Sequence, residues 1–368
     1  MKVSKARVTL LDVAAASGVS ASTASRVLHG GAGVREEVAV RVRASAENLG
    51  YSVNHQARSL RRGRDEAIGI VVEDFTIPFF GSIVAVAERL ARGRGYCVVI
   101  GCAGTGSTSQ EPAVQSLLSR NVSGLLISNG AGPAPSGYLG RIASDLPVVV
   151  VDAPQADAHA DSVTVDNHEG ARRATAHLIS HGHTEVVFVG SATSARTVAL
   201  RHEGYLQAMR DSGLAGRDEL SVWAGHRVDD VSPAVQAALE QLPTATAVFS
   251  ATARTTPGAL SAMAALDRRD MAFTGFDDVV GADAFNPGLT VLDQHPETIG
   301  TEAMRLLFER IDGFVGPARH VEVEMTLLQR GSGELRPAPS TRALRSTAAA
   351  PLKTAAAKGR RRPPALTP

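Results

Sequence analysis

The spacing of apolar positions changes character twice along the chain. Over residues 8–50 they recur every three or four positions, the helical period, with no run of strand length. Val13, Ala14, Val19, Ala24, Val27 and Leu28 make one stripe interrupted at Gly18, which predicts two short helices joined by a tight turn. Thr9 with Asp12 three residues on forms a capping-box-like start for the first, which runs through Ala16. Ser20 caps the second, running through Leu28. A third spans about Glu36–Asn48, with its stripe at Val38, Val42, Ala46 and Leu49, and Gly50 ends it.

From about Ala67 short apolar runs of strand length alternate with amphipathic segments of helix length. The strand candidates are AIGIVV, YCVVIG, GLLIS, PVVVVD, SVTVD, EVVFVG, AVFSA, AFTGFD and LTVLDQ. Between them lie helix candidates at Gly81–Arg94, Asn167–Ser180, Pro257–Leu266 and Glu297–Ile311. Such alternation means parallel sheets covered by helices, and this many strands suits two of them. After Arg330 the pattern dissolves into Pro, Ala and Arg, and the tail is expected to be disordered. The expected division is 1–52 for the helical head, 53–65 for a linker, 66–335 for the α/β body and 336–368 for the tail.

Charge sharpens this division. The formal net charge is +1, yet residues 1–64 hold 11 Lys/Arg against 4 Asp/Glu, and residues 336–368 hold 8 Lys/Arg and no acid. The body between them therefore carries −14. A basic head on an acidic body fits a head that meets a polyanion. Cys97 and Cys102 are no disulfide framework, no apolar run reaches the ~18–20 residues of a membrane span, and the N-terminus lacks a secretory h-region. A cytoplasmic location is expected, with no membrane partner.

Two short helices about a glycine turn suggest a helix-turn-helix, whose second helix enters a DNA major groove about 12 Å wide. The second helix here is slim: small residues let its backbone approach, Ser20, Ser22, Thr23 and Ser25 offer hydroxyls, and Arg26 offers a bidentate donor for guanine or phosphate. A small helical bundle without a DNA role is the bland alternative.

TLLDVAAASGVSASTASRVLHG, followed by LGYSVNHQARSLRRGRDEAIGIVV, resembles the lactose-repressor/galactose-repressor (LacI/GalR) family of bacterial regulators, over about residues 8–330. The resemblance implies that Ala21 and Ser22, after Val19–Ser20, read operator bases, that Arg26 is the family arginine, and that Thr9 and His29 belong to the DNA-facing set. His29 stands where the family usually has asparagine and Arg35 where it usually has serine, so the third helix loses a preferred cap. Asn54–Leu60, NHQARSL, matches the family's hinge helix, too short to be stable alone. The resemblance implies that it folds on DNA beside the same segment of a second subunit, with Asn54 among the DNA-facing residues, Ala57 facing the minor groove and Leu60 wedged between central base pairs.

For the body the resemblance implies a periplasmic-binding-protein-type core of two Rossmann-like lobes, about 66–163 plus 293–330 and 164–292, with an effector cleft at the carboxyl ends of the strands. Phe80, Asp152, Arg201, Asp277 and Gln294 are its expected effector-binding residues, with Arg201 matching the arginine that grips the ligand. Two carboxylates, an arginine and an aromatic face suit a polyhydroxylated ligand such as a sugar. Bland readings stand beside these: a strand-end Asp is often a helix cap, one of Phe79 and Phe80 is expected in the core, and Asp166–Asn167 fits a cap better than a ligand contact. The chain departs from the family at Thr252–Ala253–Arg254, commonly Asn-Asp, and near Trp223–Arg227, where a pocket aromatic is usual. An added arginine suits an anionic effector; a degenerate pocket is the alternative.

GCAGTGS at 101–107 is not a dinucleotide fingerprint. His177, His181 and His183 have only a superficial metal spacing, and Cys97 is expected in the core. No catalytic triad or paired-carboxylate motif is legible, so neither an enzyme nor a cofactor or metal is expected. The expected function is that of a homodimeric regulator, a repressor by default, binding palindromic double-stranded operator DNA under control of a small-molecule effector. The alternative is a small-molecule-binding α/β protein without specific DNA binding.

Overall fold

The computed structural model describes residues 8–28, 33–51, 66–104, 110–128, 138–152, 160–191, 196–214, 220–225 and 227–338. The head is three helices, α1 (Leu10–Ser17), α2 (Ala21–Leu28) and α3 (Glu36–Leu49). Gly18, at φ 63°, takes the left-handed position that ends α1 and turns the chain into α2. Val13, Ala14, Ala24, Val27, Ala39, Val42 and Ala46 make the small core between them. Ala39 is buried there, whereas Leu49, expected in the stripe, is 38% exposed. The α3 stripe is thus shifted toward its N-terminus, where α1 and α2 pack. Arg41 Nε donates to the Ser17 carbonyl at 2.9 Å and ties α3 to the end of α1. Arg35 stands at the N-cap of α3 without a side-chain bond, as its departure from serine predicts.

The body is built from β1 (Ala67–Val72), α4 (Pro78–Gly93), β2 (Cys97–Cys102), α5 (Glu111–Leu118), β3 (Gly124–Ser128), α6 (Tyr138–Ala143), β4 (Val148–Val151), β5 (Asp161–Thr164), α7 (Asn167–Ser180), β6 (Val186–Ser191), α8 (Arg196–Asp211), β7 (Ser221–Ala224), α9 (Val228–Gln241), β8 (Ala247–Ser250), α10 (Thr256–Ala265), β9 (Ala272–Phe276), β10 (Thr290–Asp293), α11 (Pro296–Ile311), β11 (His320–Glu322) and β12 (Thr326–Leu328). They form two six-stranded sheets, ordered β11-β5-β4-β3-β1-β2 and β12-β10-β9-β8-β6-β7. Every pairing is parallel except β12 against β10. The interior strands are buried along both faces, as near-continuous Val/Ile/Leu runs require. Among the described residues no helix is long and apolar enough to cross a membrane.

The chain passes between the lobes three times, after β5, β10 and β11. The last passage corrects the expected division: β12 belongs to the second lobe, not the first, and residues 331–338, expected to begin the disordered tail, pack on that lobe too. His183 Nε2 lies 2.8 Å from the Leu335 carbonyl and His177 Nε2 2.6 Å from Glu334 Oε1, so these histidines pin that segment. Among the described residues no cluster of metal-ligating side chains occurs. Cys97 is exposed rather than in the core, because β2 is an edge strand of its sheet. The first lobe is further stapled by Asp161, whose buried carboxylate takes bidentate contacts from Arg310 and Arg319 at 2.7–3.0 Å.

Candidate functional site

Two places concentrate chemistry. In the head, Thr9 and Asp12 form a reciprocal capping box, Thr9 N donating to Asp12 Oδ2 at 2.7 Å, and these contacts hold the Asp12 carboxyl below its usual range. Ser20 Oγ accepts from Thr23 N at 3.2 Å and lies 2.9 Å from both Ser22 Oγ and Thr23 Oγ1. The start of α2 therefore carries a knot of three hydroxyls beside its N-terminal amides. Ser22 and Arg26, four residues apart, share the exposed face, while Ala21, Thr23 and Ser25 are half-buried and Ala24 and Val27 face the core. His29, Asn54, Ala57 and Leu60 lie outside the described residues.

In the body, each sheet reverses strand order beside its first strand, between β1 and β3 and between β6 and β8. Clefts form at the carboxyl ends of strands at such switch points. Here β1 delivers Glu73, β4 Asp152, β6 Ser191, β8 Thr252–Arg254, β9 Asp277 and β10 Gln294 to one cleft, and α8 adds Thr197 and Arg201. Together with the open solvent at its mouth, the cleft takes in about 560 Å³. All five residues expected around the effector, Phe80, Asp152, Arg201, Asp277 and Gln294, line it. Phe79 lines it as well, edge-to-face with Phe80 at 5.1 Å.

Arg201 is the centre of this cleft and is only 3% exposed. Its Nε donates to Asn167 Oδ1 and its Nη1 to the Ala251 carbonyl, both at 2.8 Å. The guanidinium lies 3.6 Å from the Phe276 ring centroid. The helix that carries it can approach α7 this closely because position 204 is glycine: a Cβ there would sit 2.1 Å from the His168 carbonyl oxygen. Asp166 caps α7 by accepting from Glu169 N, and Asn167 next to it orients the arginine. Local pattern favours a cap over a ligand contact for Asp166–Asn167, whereas Asn167 takes neither role and holds Arg201, 34 positions away.

Asp152 and Asp277 both have positive φ, 53° and 75°, a turn that Asp tolerates better than most residues. Burial pushes the Asp152 carboxyl up to about 7; Arg201 pulls against this, and Asp277 and Glu73 add to it. Gln294 Nε2 donates to Asp277 Oδ1, and Ala253 N donates to Asp277 Oδ2 at 3.4 Å. Asp152 Oδ1 and Gln294 Oε1 are buried acceptors with no hydrogen-bond partner among the described residues. The cleft thus offers acceptors to an incoming donor.

Arg254 is spoken for. Its guanidinium spans from the second lobe to Glu73 at 3.5 Å and Asp74 at 3.6 Å in the first. Burial raises the Glu73 carboxyl, opposed by Arg254, whereas Asp74 is held low, against burial, by Thr76 and Arg254. Trp223 and Arg227 do not line the cleft. Trp223 lies on edge strand β7 against Phe188 and His202, and Arg227 precedes α9, exposed and 3.5 Å from Asp229. Among the described residues of this stretch, none brings an aromatic ring into the cleft.

Residues 9–54 match the family described as "Bacterial regulatory proteins, lacI family", and residues 65–330 match "Periplasmic binding proteins and sugar binding domain of LacI family". The chain is 30% identical over 329 residues to an HTH-type transcriptional repressor PurR of Pectobacterium carotovorum subsp. carotovorum (strain PC1), covering 88% of this chain and 96% of that protein. A PurR of Pasteurella multocida (strain Pm70) is 28% identical, at 89% and 99%. Among solved structures, a transcriptional regulator CelR–cellobiose complex superposes with a TM-score of 0.64 at 27% identity, covering 89% of this chain and all of that one. A lac repressor dimer bound to operator and the anti-inducer ONPF shares the fold at a TM-score of 0.77 and 22% identity, covering 89% and 99%.

Proposed function

The chain belongs to the lacI family of bacterial regulatory proteins, and from that premise we propose that it is a homodimeric repressor whose grip on a palindromic operator is set by a neutral, donor-rich small molecule, a sugar or related polyol, in the interlobe cleft. In this reading residues 1–52 bind DNA, 53–65 form the hinge, and 66–335 sense the effector. Ala21 and Ser22 read bases, Arg26 reads guanine or grips phosphate, and Thr9, Ser20, Thr23, Ser25, His29 and Asn54 support the docking. Ala57 and Leu60 enter the minor groove, where an apolar wedge kinks the duplex. A two-fold protein matches a two-fold site and brings two hinges together.

The observation that carries the effector reading is the pair of orphan acceptors, Asp152 Oδ1 and Gln294 Oε1, beside buried Arg201. An anionic ligand is disfavoured because Arg254 is already neutralised by Glu73 and Asp74. No catalytic step enters this reading. The test is selection of bound duplexes from a random pool by the full chain, repeated with neutral polyols and with their phosphorylated counterparts. A palindromic consensus whose recovery responds to a polyol is expected. Equal retention of every duplex at all ionic strengths refutes the regulator; a response to phosphorylated compounds alone refutes the ligand class.

A further inference from the structure

Arg254 contributes to the same cleft as the proposed effector residues but satisfies its charge within the chain. Its loop is unusually fixed. Thr255 Oγ1 lies 2.8 Å from Ser250 Oγ and 3.1 Å from Thr252 Oγ1, Thr255 N donates to Thr252 Oγ1 at 3.1 Å, and Ala253 N is held by Asp277. The arginine therefore projects from a rigid platform on the second lobe. Its partners are equally constrained: Glu73 N donates to Ser128 Oγ at 3.2 Å, and Asp74 Oδ1 accepts from both the amide and the hydroxyl of Thr76. Arg254 and Glu73 side chains are 16% and 15% exposed, so solvent and salt screen this pair far less than a surface bridge.

We propose that Arg254 is a latch across the interlobe cleft: by bridging Glu73 and Asp74 it holds the two lobes closed and thereby sets operator affinity. Two rigid platforms joined by one flexible, charged side chain make a two-state element, since the pair is either formed or broken while each lobe stays intact. The chain passes between the lobes after β5, β10 and β11, and these passages permit a change of angle. The ion pair crosses the cleft that both lobes line, so making or breaking it bears on that angle.

The operator readout rests on the regulator reading; the lobe readout does not. The test compares the full chain with Arg254→Met, Glu73→Gln, the double variant and Arg254→Lys. Operator affinity is measured on the selected duplex. Lobe separation is measured by electron–electron double resonance between spin labels at Arg120→Cys in the first lobe and Arg269→Cys in the second, in a Cys97→Ser, Cys102→Ser background diluted with unlabelled chain. Expected are a changed distance distribution and a roughly tenfold change in operator affinity for Arg254→Met, and a smaller change in the same direction for Glu73→Gln, which leaves the Asp74 contact in place. The double variant matches Arg254→Met, since no bridge is left for Glu73→Gln to weaken, and Arg254→Lys falls close to the unaltered protein. Unchanged distances in both single variants, or effects that add in the double variant, overturn the latch. If the unaltered chain prefers no duplex, the regulator reading fails while the distances still decide the latch.

Discussion

Arg201 Nε donates to Asn167 Oδ1 across 2.8 Å, joining the start of α7 to the middle of α8 in a place where neither residue meets solvent. A buried guanidinium must have its donors satisfied, and burial alone drives its pKa down against the pull of Asp277 and Asp152. Asn167 is thus a positioning residue for Arg201. Asn167→Ala is expected to lower unfolding free energy by about 1–3 kcal/mol, the cost of an orphaned buried donor, as read by urea denaturation. Arg201→Ala is expected to abolish the effector response in an operator-binding assay while leaving operator affinity without effector nearly intact. A retained response removes Arg201 from the effector site.

Asp152 gives a pH signature of defined sign. Its folded-state pKa, about 7, stands above the ordinary 3.8, so the folded protein holds a proton that the unfolded chain has released between these values. Stability from this group is therefore greatest at low pH and is lost as pH rises from about 4 through about 7. Asp152→Asn removes the penalty of ionisation. The variant is expected to gain more in thermal midpoint over the unaltered protein at pH 8 than at pH 5.5. A gain that is the same at both values refutes the raised pKa.

What sequence reading recovers here follows physical range. The capping box at Thr9–Asp12, the turn at Gly18 and the buried strands β1, β3, β4 and β6 are set by neighbours within a few positions or by unbroken apolar runs, and all were legible. β7, β11 and β12 were not: SVWA, HVE and TLL are short edge strands, half-exposed, and lack the apolar run of an interior strand. Cys97 misled for the same reason, since YCVVI reads as core unless β2 is known to lie at an edge. The five cleft residues are legible through family resemblance, Asp152, Asp277 and Gln294 at strand ends and Phe80 and Arg201 on helices α4 and α8. The Arg254–Glu73 bridge spans 181 positions and two lobes, and no local pattern encodes it.

The hydroxyl knot at the start of α2 separates two roles that sequence alone merges. Ser20 is the cap, so Ser20→Ala is expected to cost about 1 kcal/mol of stability through the head. Ser22 and Arg26 are exposed and make no comparable contribution to folding. Arg26→Ala is expected to leave the thermal midpoint unchanged while weakening operator binding by about 1–3 kcal/mol. Fluorescence anisotropy on the selected duplex, alongside differential scanning calorimetry, distinguishes the two. Loss of stability without loss of affinity in Arg26→Ala places that residue in the fold rather than at the DNA.

The C-terminal segment after β12 is part of the second lobe, and Glu334 is its anchor. Its carboxylate accepts from Thr290 Oγ1 at 2.8 Å and from Gly331 N at 2.7 Å, and meets His177 at 2.6 Å. Ser332 adds a buried bond to the Phe273 carbonyl. Against burial, these donors hold Glu334 below its ordinary 4.5, so its stabilisation is complete above that value and disappears as pH falls through the lowered folded pKa. Glu334→Gln is therefore expected to lower the thermal midpoint at pH 7 and to narrow its gap to the unaltered protein near pH 3. Truncation after Ala338 is expected to leave the midpoint unchanged, whereas truncation after Arg330 removes Ser332, Glu334 and Leu335 together and destabilises the second lobe. Equal midpoints for the two truncations would mean that the lobe closes at β12 and that the hydrogen bonds beyond it contribute nothing measurable.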